Sequence, residues 1–274
     1  MSAPQPSQSG DTGDFPYWLV ALVVIGAGTA ALIAGSDLYR EIFAAVATGL
    51  EVTVLVTLIA FALAVALGLA IALCGLSDLG SLRQFSRFYI ELIRGIPVLV
   101  LLFYVAFVGA PAVVAAYNYL AAPLIRAGML DTLLVREVSL MWRAIIALTI
   151  AYSAFIAEIF RAGIQSVDKG QVEAAKALGL SRFQRFRLIV FPQALRVIFP
   201  PLSNDFVAMV KDSSLVSVLG VADITQAAKI SVATSFRYFE TYSMVAYVYL
   251  VLTIGLSLIL RHIEKRMRQA QAKR

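Results

Sequence analysis

The side chains in this sequence that can do chemistry are mostly charged groups set inside apolar stretches, where an ionisable residue is expensive and is therefore read as functional. Glu158 and Arg161 stand three residues apart with Gln165 a turn further on, so a helix puts all three on one face. Two readings stay open: Glu158 lines a polar path, or acid and base pair near the inner boundary with Arg161 as an interface anchor. Pro200 and Pro201 cannot continue a helix begun at Ala194, so the chain is expected to break and restart there, with Ser203, Asn204 and Asp205 in the new first turn. Broken helices in membranes free backbone groups that line cavities, which makes Asn204 and Asp205 candidates for holding a polar solute or a gate. Lys211 and Asp212 are read as neutralising each other between helices. Tyr104 and Tyr152 are candidates to bring polar tips to the same path, while Glu51 and Glu91, the latter close to Arg94, are read as interfacial or paired.

The same inventory excludes several classes of function. A single cysteine, Cys74, excludes a disulfide framework within the chain, and a single histidine, His262, leaves too few soft ligands for a zinc or iron site. A membrane enzyme would need a convergent acid, base, nucleophile or metal site, and no nucleophile stands beside either residue. An ATP-binding chain needs a glycine-rich loop ending in Gly-Lys-Ser/Thr, yet none of the six lysines follows a glycine. No metal and no cofactor are expected on this chain. The net charge of +6 does not point to nucleic acid, because the basic residues lie between apolar runs, where they set topology and meet anionic lipid.

The elements that position these groups follow from composition. With 60% hydrophobic and 15% charged residues and a mean hydropathy of +0.84, this 274-residue chain reads as an all-α polytopic membrane protein. Crossings of about 20 mostly apolar residues are expected at Tyr17 to Ala34, Thr48 to Cys74, Phe88 to Val108, Trp142 to Ile164, about Val197 to Val218, and Met244 to Leu260, which makes six. Residues 1–16 are too polar and aperiodic to fold and read as a disordered tail. The run after them lacks the basic n-region of a signal peptide, so a retained span is expected. The loops holding Arg83 and Arg87, the cluster 169–187 and the basic tail 261–274 carry more than twice the Lys and Arg of the opposite set, which holds Arg40, Arg126, Arg136, Lys229 and Arg237. The positive-inside rule then puts the C-terminus, and with six spans the N-terminus, in the cytoplasm. Gly109 to Leu140, on the outer side, reads as a pair of interfacial or re-entrant helices. No internal repeat is visible, so any symmetry comes from a second subunit.

The loop after the fourth span is charged yet patterned like folded structure. Glu173 to Leu178 is strong helix-forming sequence with an acid in its first turn, and Gly179 supplies a left-handed terminator. Ser181 followed by Gln184 is a capping box that starts a second helix with Phe183, Phe186 and Ile189 on its apolar face. Pro192 is expected to stop that helix before the next span. The product is a compact knob suited to another protein's groove.

Glu173-Ala174-Ala175, then Gly179, then Ile189-Val190-Phe191-Pro192 resembles the cytoplasmic signature of bacterial ABC importer permeases, with Phe191 where leucine is usual. Arg94-Gly95-Ile96-Pro97 and Lys211-Asp212-Ser213-Ser214-Leu215 are similar to elements of the polar amino acid permease family, and so is the segment around Glu158, Arg161 and Gly163. Ile96 departs from that family's threonine. The resemblance covers roughly Gly49 to Arg261 and implies a five-helix permease core at 48–260, with 17–34 as an additional N-terminal helix. It implies that the coupling loop 168–192, through Glu173, Ala174, Ala175, Gly179, Ser181, Ile189 and Pro192, is gripped by an ATPase subunit. Arg94, Pro97, Arg161, Pro200, Lys211 and Asp212 then become structural or gate candidates. The implied assembly is two permeases, identical or paralogous, two ATP-binding subunits holding ATP and magnesium, and an extracytoplasmic amino acid-binding protein, in a bacterial inner membrane.

The lack of a phosphate loop agrees with that division of labour. Nucleotide-driven closure elsewhere would push the two knobs and rock the spans between outward and inward openings. The competing reading is an ion-coupled secondary amino acid carrier, which would explain buried acids without any ATPase but leaves the structured knob without a purpose.

Overall fold

A computed structural model describes residues 17–272; the expected disordered tail at 1–16 lies outside them. Every element among the described residues is helical. Helix α1 (Tyr17–Gly35) is followed after Ser36 by α2 (Asp37–Ala47) and then α3 (Leu50–Gly75). The core is the packing of α3 along α8 (Leu140–Gln165). Small residues make that approach possible: Ala60, Ala64 and Gly68 recur every fourth position on α3, and Ala144, Ala147, Ala151 and Ala154 are buried on α8. At Gly68 a side chain would have no room, since a Cβ there would lie 2.9 Å from Ile156 Cγ2 and 2.9 Å from the Ser153 carbonyl oxygen.

The third expected crossing is displaced. Gly80–Arg94 forms a separate amphipathic helix, α4, and the apolar helix long enough to cross is Val98–Leu120. The physical reason is Pro97, which lacks an amide hydrogen and pushes its predecessor out of the helical region, so the chain turns after Arg94 and a new helix begins. This crossing comprises α5 (Val98–Tyr104), one π-helical turn (Val105–Gly109) and α6 (Ala110–Leu120). Consequently Gly109–Leu120 continues a span, contrary to the expected interfacial pair, and only the short α7 (Ala122–Arg126) and a 3-10 turn (Val135–Glu137) occupy the remainder before α8.

Beyond α8 come α9 (Lys169–Ala177), α10 (Arg182–Arg185), a second π-helical turn (Phe186–Val190), α11 (Phe191–Asp212) and a 3-10 segment (Ser213–Leu219). Two expectations fail here. Pro192 does not stop the second loop helix, and Pro200 and Pro201 do not break α11, which runs through both. Both π-turns end one residue before the dipeptides Ala110-Pro111 and Phe191-Pro192. Widening one turn to i→i+5 bonding, with the amide of Ala110 donating to Val105 O and that of Phe191 to Phe186 O, lets each helix absorb its proline.

The chain ends with α12 (Ile224–Ser235) and α13 (Tyr238–Ala272). A second core of Ile42, Val46, Ile224, Ala228, Met244 and Val248 fastens α2, α12 and α13 together. Asp223 caps α12 from a fully buried position, accepting from the amides of Thr225 (3.1 Å) and Gln226 (2.9 Å). By length and composition four helices among the described residues can cross a membrane, and five if Arg182–Leu219 and Ile224–Ser235, bent by 48°, count as one span. The first expected crossing, Tyr17 to Ala34, falls on α1, whose apolar stretch Val20–Gly35 is shorter than these.

Candidate functional site

The loop at 168–192 is built by local signals. Asp168 caps α9 by accepting from the Gln171 amide at 3.1 Å, so the helix begins earlier than Glu173, and Glu173 lies in its second turn. Gly179 adopts φ +77°, a left-handed conformation that favours glycine, and closes α9. The capping box forms as its sequence implies: Ser181 Oγ accepts from the Gln184 amide at 3.3 Å, and Gln184 Oε1 accepts from the Ser181 amide at 2.8 Å.

One side of this loop is fastened to the membrane helices. Val167, Ala194 and Ile198 form a buried cluster against which Val172 of α9 and Ile189 and Val190 of the π-turn pack, and Ala175 is buried too. A polar tie accompanies them, with Gln193 Nε2 donating to Gln171 Oε1 at 2.7 Å and to Ile189 O at 3.0 Å. Sequence reasoning missed this tie because the partners sit 22 residues apart with no pattern linking them. Pro192, partly buried, lies where the loop enters α11. The other side is bare: Glu173 and Ala174 are exposed, Leu178 is 81% exposed and Phe183 68% exposed. Burying an apolar side chain of this size is worth about 1.5–3 kcal/mol, so a groove that covered both would gain several kcal/mol.

The polar residues of the spans gather in two places. On α8, Arg161 and Glu158 form a forked pair (Nη2 to Oε2 2.6 Å, Nε to Oε1 3.2 Å), while Arg161 Nη1 donates to Gln165 Oε1 at 2.9 Å. The shared face read from the spacing is therefore real, and the pairing alternative describes it. One turn before, Arg94 stacks its guanidinium 5.5 Å from the centroid of Phe155, and Glu91 is exposed, which fits the interfacial alternative for that residue. Further along α8, Tyr152 donates to Asp212 Oδ2 at 2.8 Å. Lys211 is exposed and makes no ion pair with Asp212; neighbours in a helix point about 100° apart, which overturns their expected mutual neutralisation.

Asn204 and Asp205 part company for the same reason. Asp205 lies on the Tyr152 side of α11 with its buried Oδ2 lacking a hydrogen-bond partner, and Asn204 lines a small cleft with Ser203, Ser257 and Arg261 beside α13. Because α11 is continuous, neither occupies a restarted first turn. Tyr104 ends α5 with its side chain exposed and hydrogen-bonds to none of these residues. Pro97 lies exposed at the α4–α5 junction, and Pro200 borders the Asn204 cleft.

Two further groups had little signal. Tyr89 shares a 2.7 Å hydrogen bond with Ser153, joining α4 to α8. Arg143, 7% exposed near the start of α8, donates to three carbonyls: Val138 O (2.9 Å), Ala106 O (3.1 Å) and Val135 O. Ala106 lies in the first π-turn, so this cation ties that turn to the segment preceding α8.

Comparison with known proteins places this arrangement. The family described as binding-protein-dependent transport system inner membrane component matches residues 64–269. The probable amino-acid permease protein YxeN of Bacillus subtilis (strain 168) is 34% identical over 218 residues, covering 80% of this chain and 89% of its own. The glutamine transport system permease protein GlnP of Escherichia coli (strain K12) is 37% identical over 180 residues, or 66% and 73% of the two chains. A crystal structure of an amino acid ABC transporter with histidines superposes with a TM-score of 0.67 at 37% identity, covering 83% of this chain and 95% of that one. An inward-facing methionine ABC transporter shares the fold at 17% identity, with a TM-score of 0.60 over 85% of this chain and 99% of that chain. A profile spanning most of the sequence, a helical bundle shared with solved transporters and a structured loop between two spans agree on one conclusion: this chain belongs to the family of binding-protein-dependent transport system inner membrane components.

Proposed function

We propose that this chain is the membrane-spanning permease subunit of an ATP-driven importer of polar amino acids, and that work done by separate ATP-hydrolysing subunits enters it through residues 168–192. The observation that carries this reading is the two-sided loop, with Val172 packed on Val167, Ala194 and Ile198 and Gln171 tied to Gln193 of α11, while Leu178 and Phe183 stand bare for a partner. Relatives named as glutamine and amino-acid permeases support the substrate class. ATP and its magnesium ion bind the partners, so this chain holds no cofactor, and a second permease, identical or paralogous, completes the path.

In this reading the loop and the tail after Arg261 face the cytoplasm, where the excess of basic residues belongs, and α1 is an added crossing before the permease core at 48–260. An extracytoplasmic binding protein delivers the amino acid at the opposite end. Glu173, Ala174, Ala175, Gly179, Ser181, Ile189 and Pro192 build the coupling loop. Tyr152, Asp205 and Asp212 offer polar contacts along the path, with Glu158 held by Arg161 and Arg94 against Phe155 on the same helix; Asn204 and Tyr104 contribute on other faces. Displacement of α9 tilts α11 as a rigid element, and the spans rock between two openings.

The test is reconstitution in lipid vesicles with the ATP-binding subunits and binding protein. Uptake that requires ATP, together with hydrolysis stimulated by the loaded binding protein, is the expected result. Uptake driven by an ion gradient without ATP would instead identify a secondary carrier.

A further inference from the structure

Where α8 crosses α11, immediately inside the loop, one backbone lies directly against a side chain. Gly163 is buried on α8, and a Cβ added to it would stand 2.2 Å from Ile198 Cγ1, 2.9 Å from Ile198 Cδ1 and 3.3 Å from the Ala194 carbonyl oxygen. Ordinary contact begins at 3.4 Å, so Ile198, 5% exposed, occupies the notch that the missing side chain leaves. Ile198 cannot simply swing aside, because it belongs to the buried cluster with Ala194 and Val167 against which Val172, Ile189 and Val190 pack. The notch, the helix that receives the load and the base of α11 are thus one close-packed unit.

Close-packed contacts transmit displacement with little lost motion, since interiors switch between discrete packings and do not deform continuously. We infer that Gly163 is a positioning residue for energy coupling: the seat of Ile198 in the Gly163 notch is the bearing on which movement of α9 becomes tilt of α11 against α8. This rests on the reading of 168–192 as the loop that receives work from an ATPase, and it assigns the joint behind that loop.

The experiment uses the full complex in lipid vesicles and reads amino acid taken up per ATP hydrolysed, with thermal stability and ATPase retention measured alongside. Gly163→Ala is expected to lower that ratio about tenfold, the size of a one-methyl overpacking effect expressed as a rate, with the ATPase subunits still bound. Gly163→Ala combined with Ile198→Ala, which returns room for the added methyl, should recover most of the loss. Gly68→Ala is the control. It meets Ile156 at 2.9 Å on the α3–α8 crossing, far from the loop in sequence, and should lower stability while leaving uptake per ATP near the parent value.

The inference is overturned by a parent-like ratio in Gly163→Ala, by a well-folded double variant that recovers nothing, or by Gly68→Ala lowering the ratio as much as Gly163→Ala. Where Gly163→Ala fails to fold, Ile198→Ala alone decides, since it leaves a gap in the same notch: a lower ratio with the ATPase bound supports the bearing, and an unchanged one removes it. Absence of ATP-driven uptake in the parent complex is a different result, and it strikes the coupling reading before any variant is compared.

Discussion

The hydrogen bond between Gln193 on α11 and Gln171 on α9, 2.7 Å long, is the polar tie between the two ends of the proposed force path, and a double-mutant cycle on it measures how firmly they are joined. Replacing Gln171 by alanine removes one neutral hydrogen bond, worth about 0.5–1.5 kcal/mol net, and replacing Gln193 removes that bond together with its bond to Ile189 O, while the apolar contacts of Val172, Ile189 and Val190 remain. Taken at about 1 kcal/mol, the loss corresponds to roughly a fivefold change in the population of molecules with α9 and α11 joined. Gln171→Ala is therefore expected to slow ATP-driven uptake by about that factor, Gln193→Ala by at least as much, and the double variant no further than Gln193→Ala alone. The assay is initial uptake in vesicles holding the full complex at saturating ATP. A loss in the double variant equal to the product of the two single losses would show that the two glutamines act independently and that the bond transmits nothing.

Other expectations follow from single sites. Arg143→Met strips three carbonyls of their donor and should lower stability by about 2–4 kcal/mol, read as a lower melting temperature and faster amide exchange around Val135–Glu137; unchanged exchange there would contradict the clamp. Asp223→Ala should lower stability by about 0.5–2 kcal/mol through loss of the α12 cap, whereas Asp223→Asn, still able to cap, should melt close to the parent. Tyr152→Phe removes the hydroxyl that donates to Asp212 and should slow uptake without releasing the ATPase, as co-purification would show; parent-like uptake would take Tyr152 off the path.

What was legible in the sequence was local. Gly179 and the Ser181–Gln184 box were readable because a left-handed terminator and a capping box are each satisfied within four residues of themselves. The prolines misled because a proline's effect depends on whether the preceding turn widens. At Pro111 and Pro192 it widens into a π-turn, and at Pro200 and Pro201 α11 runs on. The third crossing was displaced for a related reason: Phe88 to Val108 is apolar enough to suggest one span, yet Pro97 cuts it, and the amphipathic Gly80–Arg94 packs Ser86, Ile90 and Ile93 inward as a separate element. Partners distant in sequence, such as Tyr152 with Asp212 or Arg143 with Ala106, carry no periodicity and emerge only once α8 is placed among its neighbours.

Whether the loop meets an ATPase is read most directly from accessibility at Leu178, the most exposed of its large apolar residues. Leu178→Cys is made in a Cys74→Ser background, so that one thiol remains, and is treated with a membrane-impermeant maleimide in vesicles of known orientation. Labelling from the cytoplasmic side alone, suppressed when the ATP-binding subunits are added back, is the expected result. Labelling from the outer side, or labelling that the ATPase leaves unchanged, would contradict it.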